Sequence, residues 1–106
     1  MFEIGFREGG VIRLSGRFDA AVVAQAMVFL DQVESSTTVD CRQLEYIASA
    51  GLGALFATQK RLLDKQESLT LANLSPHIYE LFEMCGFETV FEIVEAPPAD
   101  SDSPGN

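Results

Sequence analysis

Val11-Ile12-Arg13-Leu14-Ser15-Gly16-Arg17-Phe18-Asp19-Ala20-Ala21-Val22-Val23-Ala24-Gln25-Ala26-Met27-Val28-Phe29-Leu30 changes character at Asp19. Val11 to Leu14 reads as a strand. From Ala20 the apolar run is too long for a strand and contains neither Gly nor Pro. Val22, Ala26, Phe29, Leu30 and Val33 recur at helical spacing, and Asp19 stands where an N-cap belongs. Val23 and Met27 fall beside that stripe, which leaves two readings, a wide buried face or an exposed apolar strip. A strand passing directly into a helix is the repeating unit of an α/β fold.

Upstream, Phe2, Ile4 and Phe6 alternate with polar positions, and Glu8-Gly9-Gly10 supplies a turn, so residues 2–14 read as a hairpin. Downstream the unit repeats twice. Thr37 to Cys41 is a β-branched strand. A loop through Leu44 and Ile47 leads to a helix with Leu52, Leu55, Phe56, Gln59, Leu62 and Leu63 inward and Thr58, Lys60, Arg61 and Asp64 toward water. Ser68 to Ala72 alternates as a strand. Ser75-Pro76 then opens a third helix, with Ile78, Leu81, Phe82 and Cys85 as its core face. Gly86 is the expected helix stop, with Phe87 packing back toward Phe82, and Val90 to Ile93 is a last strand.

The order β-β-α-β-α-β-α-β predicts a sheet whose helix-linked strands run parallel. Asp19, Ser49 and the turn at residues 73–75 are then expected together on the rim at the carboxyl ends of the strands, where open α/β sheets place their sites. Residues 1–94 form the domain. Residues 95–106, which hold three of the four prolines and no large apolar side chain, read as a disordered acidic tail.

At 106 residues there is room for one core. Seven basic against sixteen acidic residues give a net charge of −9, which disfavours direct binding to nucleic acid or to an anionic membrane. No apolar run approaches the roughly 18 residues of a membrane span, and the first ten residues lack a secretory pattern, so the expected location is the cytoplasm. Cys41, Cys85 and the single His77 fit no metal-ligand spacing. The two cysteines read as buried free thiols. No nucleophile triad or Gly-rich phosphate loop is present, and Glu80 and Glu83 are an ordinary solvent-facing pair, so neither catalytic residues nor a cofactor site is expected.

Ala48-Ser49-Ala50-Gly51-Leu52-Gly53 begins a helix yet places two glycines in its first turns. Each costs up to about 1 kcal/mol relative to Ala inside a helix. Small residues there leave the helix start open to another molecule, or let the helix pack closely on a strand. Ser49 reads either as a presented hydroxyl or as a simple N-cap.

These residues resemble the STAS domain, in particular the small stand-alone anti-sigma factor antagonists of bacteria. Leu14-Ser15-Gly16-Arg17-Phe18-Asp19 is similar to the family's strand ending in Gly-x-(apolar)-Asp, and Val39-Asp40-Cys41-Arg42-Gln43-Leu44 to its central strand and following loop. Ser49-Ala50-Gly51-Leu52-Gly53 resembles the Asp-Ser-(Ser/Thr)-Gly-Leu-Gly signature. Ser75-Pro76, Leu81-Phe82 and Gly86-Phe87 resemble the last helix and its exit.

The resemblance implies a mixed sheet with helices mainly on one face, and a switch in place of a catalyst. In this family the unphosphorylated protein binds an anti-sigma factor that is also a serine kinase. Phosphorylation of the motif serine, here Ser49, releases it, and a serine phosphatase restores binding. The implied contact residues are Asp19, Ser49, Ala50, Gly51, Leu52 and Gly53. Two positions depart from the signature: Ala48 replaces the usual aspartate and Ala50 the usual hydroxyl residue. An alternative within the same fold is an unphosphorylated soluble STAS subunit of a membrane transporter, such as a phospholipid ABC system.

Overall fold

The computed structural model describes residues 1–95; the expected tail, apart from Glu95, lies outside them. The elements are β1 (Phe2–Phe6), β2 (Ile12–Phe18), α1 (Val23–Leu30), β3 (Thr37–Ile47), α2 (Ser49–Leu63), β4 (Leu69–Ala72), α3 (Pro76–Met84) and β5 (Glu92–Val94). The five strands lie in chain order, with β1 antiparallel to β2 and every later neighbour parallel. With right-handed crossovers, a sheet in this order carries all three helices on the same face. β2 shows it: Ile12, Leu14 and Phe18 are fully buried, while Arg13 and Arg17 point into water.

Local chemistry sets the element ends as the sequence suggested. Gly9 and Gly10 take positive φ in the hairpin turn. Asp19 caps a short 3-10 turn that leads into α1. The Ser75 hydroxyl accepts the Ile78 N–H at 3.2 Å with Pro76 in the first helical position, and Gly86 turns the chain left-handed after α3. In α1, Ala26 and Leu30 are buried, and Val23 and Met27 pack partly buried against the core, which favours the wide-face reading.

β3 is longer than expected. Residues 42–47, read as loop, pair with the second half of β2, where register shifts interrupt the alternation. A bulge places two successive side chains, Arg42 and Gln43, in solvent and so hides the period of two. The buried face of α2 is also rotated from the expected one. Thr58 is buried with its hydroxyl donating to the Ala54 carbonyl at 3.0 Å, whereas Leu63 is half exposed. Arg61 does not face open water; its guanidinium donates to the carbonyls of Leu30 and Val33 at 2.9 and 3.0 Å and closes the end of α1. Gln59 bridges the Leu69 N–H and the Val90 carbonyl, tying α2 to β4 and to the segment that leads into β5.

α3 ends at Met84, so Cys85 lies beyond the stripe and is exposed, against the expectation of a second buried thiol. Phe87 stacks on Phe56, with centroids 4.8 Å apart and planes at 7°, while Phe82 meets the edge of Phe91. The other thiol, Cys41, is buried, and that burial, reinforced by the neighbouring Asp40 carboxylate, pushes its pKa well above the ordinary thiol range.

The two glycines of α2 have opposite environments. A Cβ on Gly51 would lie 2.7 Å from the Phe18 carbonyl oxygen and 2.9 Å from Ile47, whereas one on Gly53 would meet nothing within 4 Å. Close packing is therefore the answer at Gly51, and an open surface at Gly53.

Gly51→Ala is expected to destabilise the domain by about 1–3 kcal/mol, and Gly53→Ala to stabilise it by up to about 1 kcal/mol, as read from urea denaturation midpoints. A thiol reagent at neutral pH should label one cysteine in the native protein, Cys85, and both after denaturation, as counted by intact mass.

Candidate functional site

The rim forms where β2 and β3 end together. Phe18 pairs with Ile47, and the Ala48 N–H donates to the Phe18 carbonyl at 3.0 Å. Asp19 follows Phe18 directly and Ser49 follows Ile47 by two residues, so both lie at the carboxyl ends of two neighbouring parallel strands. The turn at residues 73–75, expected on the same rim, is elsewhere. β4 ends at Ala72, level with Asp40, while β3 runs on to Ile47, about 20 Å further along the sheet.

Asp19 is half buried, and one carboxylate oxygen accepts the Ala21 N–H at 3.1 Å. Among the described residues it makes no hydrogen bond to Ser49. Ser49 is the first residue of α2, and the cap position belongs to Ala48, whose carbonyl accepts the Leu52 N–H at 2.9 Å. The capping role considered for Ser49 is thus not what the structure has. Its side chain is exposed, and the helix start beneath it has no capping side chain.

Of the residues expected to meet a partner, Gly51 and Leu52 are buried and hold α2 on the sheet. Asp19, Ser49, Ala50 and Gly53 form the accessible set, with Ala50 half buried. Sequence reasoning missed the continuation of this surface. Ala57, one turn beyond Gly53, is exposed, and the half-buried Phe56–Phe87 pair flanks it, with the Lys60 ammonium 5.8 Å from the Phe56 ring centre. The spacing of Ser49, Gly53 and Ala57, four residues apart, was the available signal.

The rim presents an exposed primary alcohol on the first turn of a helix, a carboxylate and small side chains. His77 lies exposed at the start of α3. Among the described residues no three His, Cys, Asp or Glu side chains group as a metal site, and no helix is long and apolar enough to cross a membrane.

The family described as "Mlab, STAS domain" matches residues 6–95. A protein of Bordetella bronchiseptica named as anti-sigma factor antagonist BtrV is 34% identical over 83 residues, covering 78% of this chain and 68% of that protein. Among solved structures, the anti-sigma factor antagonist SpoIIAA in its unphosphorylated form superposes with a TM-score of 0.76 at 22% identity, covering 95% of this chain and 92% of that one. The phosphorylated Bacillus SpoIIAA gives 0.70 at 15% identity over the full length of both chains. A sulfate transporter family protein from Wolinella succinogenes gives 0.67 at 21% identity, over 78% of this chain and 73% of that one. The structural likenesses establish the fold, and the family match and BtrV establish kinship: this chain belongs to the STAS domain family.

Proposed function

We propose that this protein is an anti-sigma factor antagonist that acts in the cytoplasm by partner switching. Unphosphorylated, it binds an anti-sigma factor that is also a serine kinase; phosphorylation at Ser49 ends the contact, and a serine phosphatase restores it. The observation that carries this reading is the exposed Ser49 hydroxyl on the first turn of α2, beside Asp19 and above a buried Gly51. The names of the relatives support the antagonist role, and SpoIIAA, whose fold this chain shares, has itself been solved in a phosphorylated form.

The physics of such a switch is local. A phosphate adds about −1.5 to −2 charges at neutral pH. At a helix N-terminus that charge is favourable by about 0.3–1 kcal/mol, so α2 has no reason to unfold. The block to binding is bulk and charge on a surface otherwise made of Ala50, Gly53 and Ala57, with Asp19 adding like charge at its side. Ala48 and Ala50 leave Ser49 as the only hydroxyl in the signature.

A second reading, a constitutive STAS subunit of a membrane transporter, draws on the fold match to the sulfate transporter family protein and on Ala48 in place of the usual aspartate. It uses the same rim without a kinase.

Incubation with its partner kinase and ATP is expected to add a single phosphate, read by intact mass, that disappears in Ser49→Ala. Binding of that kinase without any mass change would favour the constitutive subunit. Ser49→Asp is expected to weaken the kinase complex tenfold or more in titration calorimetry, with unfolding free energy within about 1 kcal/mol of the parent.

A further inference from the structure

β1 is an outer strand of the sheet, and the hairpin register fixes which groups lie along its edge. The Arg7 N–H donates to the Val11 carbonyl and the Met1 carbonyl accepts from Arg17, so Met1, Glu3, Gly5 and Arg7 turn their backbone groups toward β2. Phe2, Ile4 and Phe6 turn theirs outward, and among the described residues no strand pairs with that side. An edge is ordinarily blunted by a proline, a lysine, a bulge or a very short strand. β1 has none of these, and its pairing with β2 is unbroken. The other outer strand, β5, is three residues long.

Apolar surface accompanies the edge on the helix side. Phe6 is 56% exposed although its ring meets Phe29 at 4.9 Å, Ile4 is half buried, and Val28 is exposed. The other side of the strand is charged. Glu3 pairs with Ser15 and Gly5 with Arg13, so Glu3 and Arg13 stand exposed on a diagonal. Among the described residues neither makes an ion pair. A cleft of about 260 Å³ opens beside them at Gly5, lined also by Ile4, Phe6 and Gln25, and a Cβ on Gly5 would meet nothing within 4 Å.

These features are self-complementary. The apolar positions of Phe2-Glu3-Ile4-Gly5-Phe6 read the same in both directions about Ile4. When a second β1 is laid antiparallel on the first with the two-fold axis at Ile4, every outward N–H and C=O of the strand finds a partner. Ile4 faces Ile4, and Phe2 faces Phe6. Glu3 then stands opposite Gly5 of the second copy, and beyond that glycine, two strand spacings or about 10 Å away, stands the Arg13 paired with it. The missing side chain at position 5 lets the two charged groups meet over the cleft. Symmetry makes that unlike-charge contact twice, and the helix side of the same interface covers Phe6. This charge complementarity favours a second copy over an unrelated strand.

We propose that β1 is a homodimer interface. Two copies join edge to edge through residues 2–6 into a continuous sheet of five strands from each, and Glu3 of each reaches over Gly5 of the other to its Arg13. β1 begins at the rim end of β2, so the antiparallel contact points the two Ser49 rims in opposite directions and gives the dimer two binding ends. The interface stands independently of the reading of Ser49.

The test is sedimentation velocity of the full chain at about 5 to 500 µM, with isotope-filtered NMR on an equal mixture of labelled and unlabelled chain. A dimer whose fraction rises with concentration is expected. A nuclear Overhauser contact between the α-protons of Glu3 and Gly5 in different copies is expected with it, because α-protons approach at the non-hydrogen-bonded positions of an antiparallel pair. Phe6→Asn should weaken the dimer about tenfold or more. Glu3→Arg and Arg13→Glu should each weaken it roughly three- to tenfold. The double swap should restore it, which neither a change in net charge nor a general loss of fold would do. A monomer across the whole concentration range would overturn the proposal and leave the edge to a strand of another protein. So would a dimer without the Glu3–Gly5 contact, a dimer indifferent to Phe6→Asn, or a double swap no tighter than the single ones.

Discussion

The seat of α2 on the sheet depends on an atom that Gly51 lacks. The Phe18 carbonyl and the Ile47 side chain occupy the space where any other residue would place its Cβ. Because they do, α2 starts directly against the final β2–β3 pair, and the Ala48 N–H can reach the Phe18 carbonyl. That contact decides where the first turn of α2 ends up, and hence that Ser49 is lifted clear while Leu52 is driven into the core. Raising the helix by the radius of a methyl group would separate the strand ends from the helix start and blur the relation between Asp19 and Ser49. A glycine inside a helix is tolerated for the same reason: the close approach it permits outweighs a propensity cost of about 1 kcal/mol.

Polar side chains do much of the remaining joining. Gln59 and Arg61 satisfy backbone groups on segments distant in sequence, and Asp40 accepts from the side chains of Asn73 and Arg7. Buried polar groups of this kind add little net free energy but penalise misplacement, since each leaves unpaired partners if the elements shift. They make the domain a rigid carrier for its rim.

What could be read from the sequence follows from how local each signal was. The change of period at Asp19, the Ser75-Pro76 start and the Gly86 stop are contained within a few residues, and the structure has each of them at those positions. The second half of β3 was hidden because a bulge puts Arg42 and Gln43 in solvent together, and only pairing with β2 makes that stretch a strand. Thr58 passed for a surface residue because its hydroxyl is satisfied within its own helix, which composition does not reveal. Cys85 was misplaced by extending the stripe of α3 one residue too far. At the rim, the two glycines marked the start of α2 as unusual, but the division of labour between Gly51 and Gly53 was not legible. It rests on which of them faces the strands, and three-dimensional register decides that.

The antiparallel first strand has a practical bearing. β1 begins opposite Gly16, and the Met1 carbonyl accepts the Arg17 N–H at 3.3 Å, so the beginning of β1 lies two residues from Asp19. A purification handle or fluorescent fusion attached ahead of Met1 would hang over the rim and shield it.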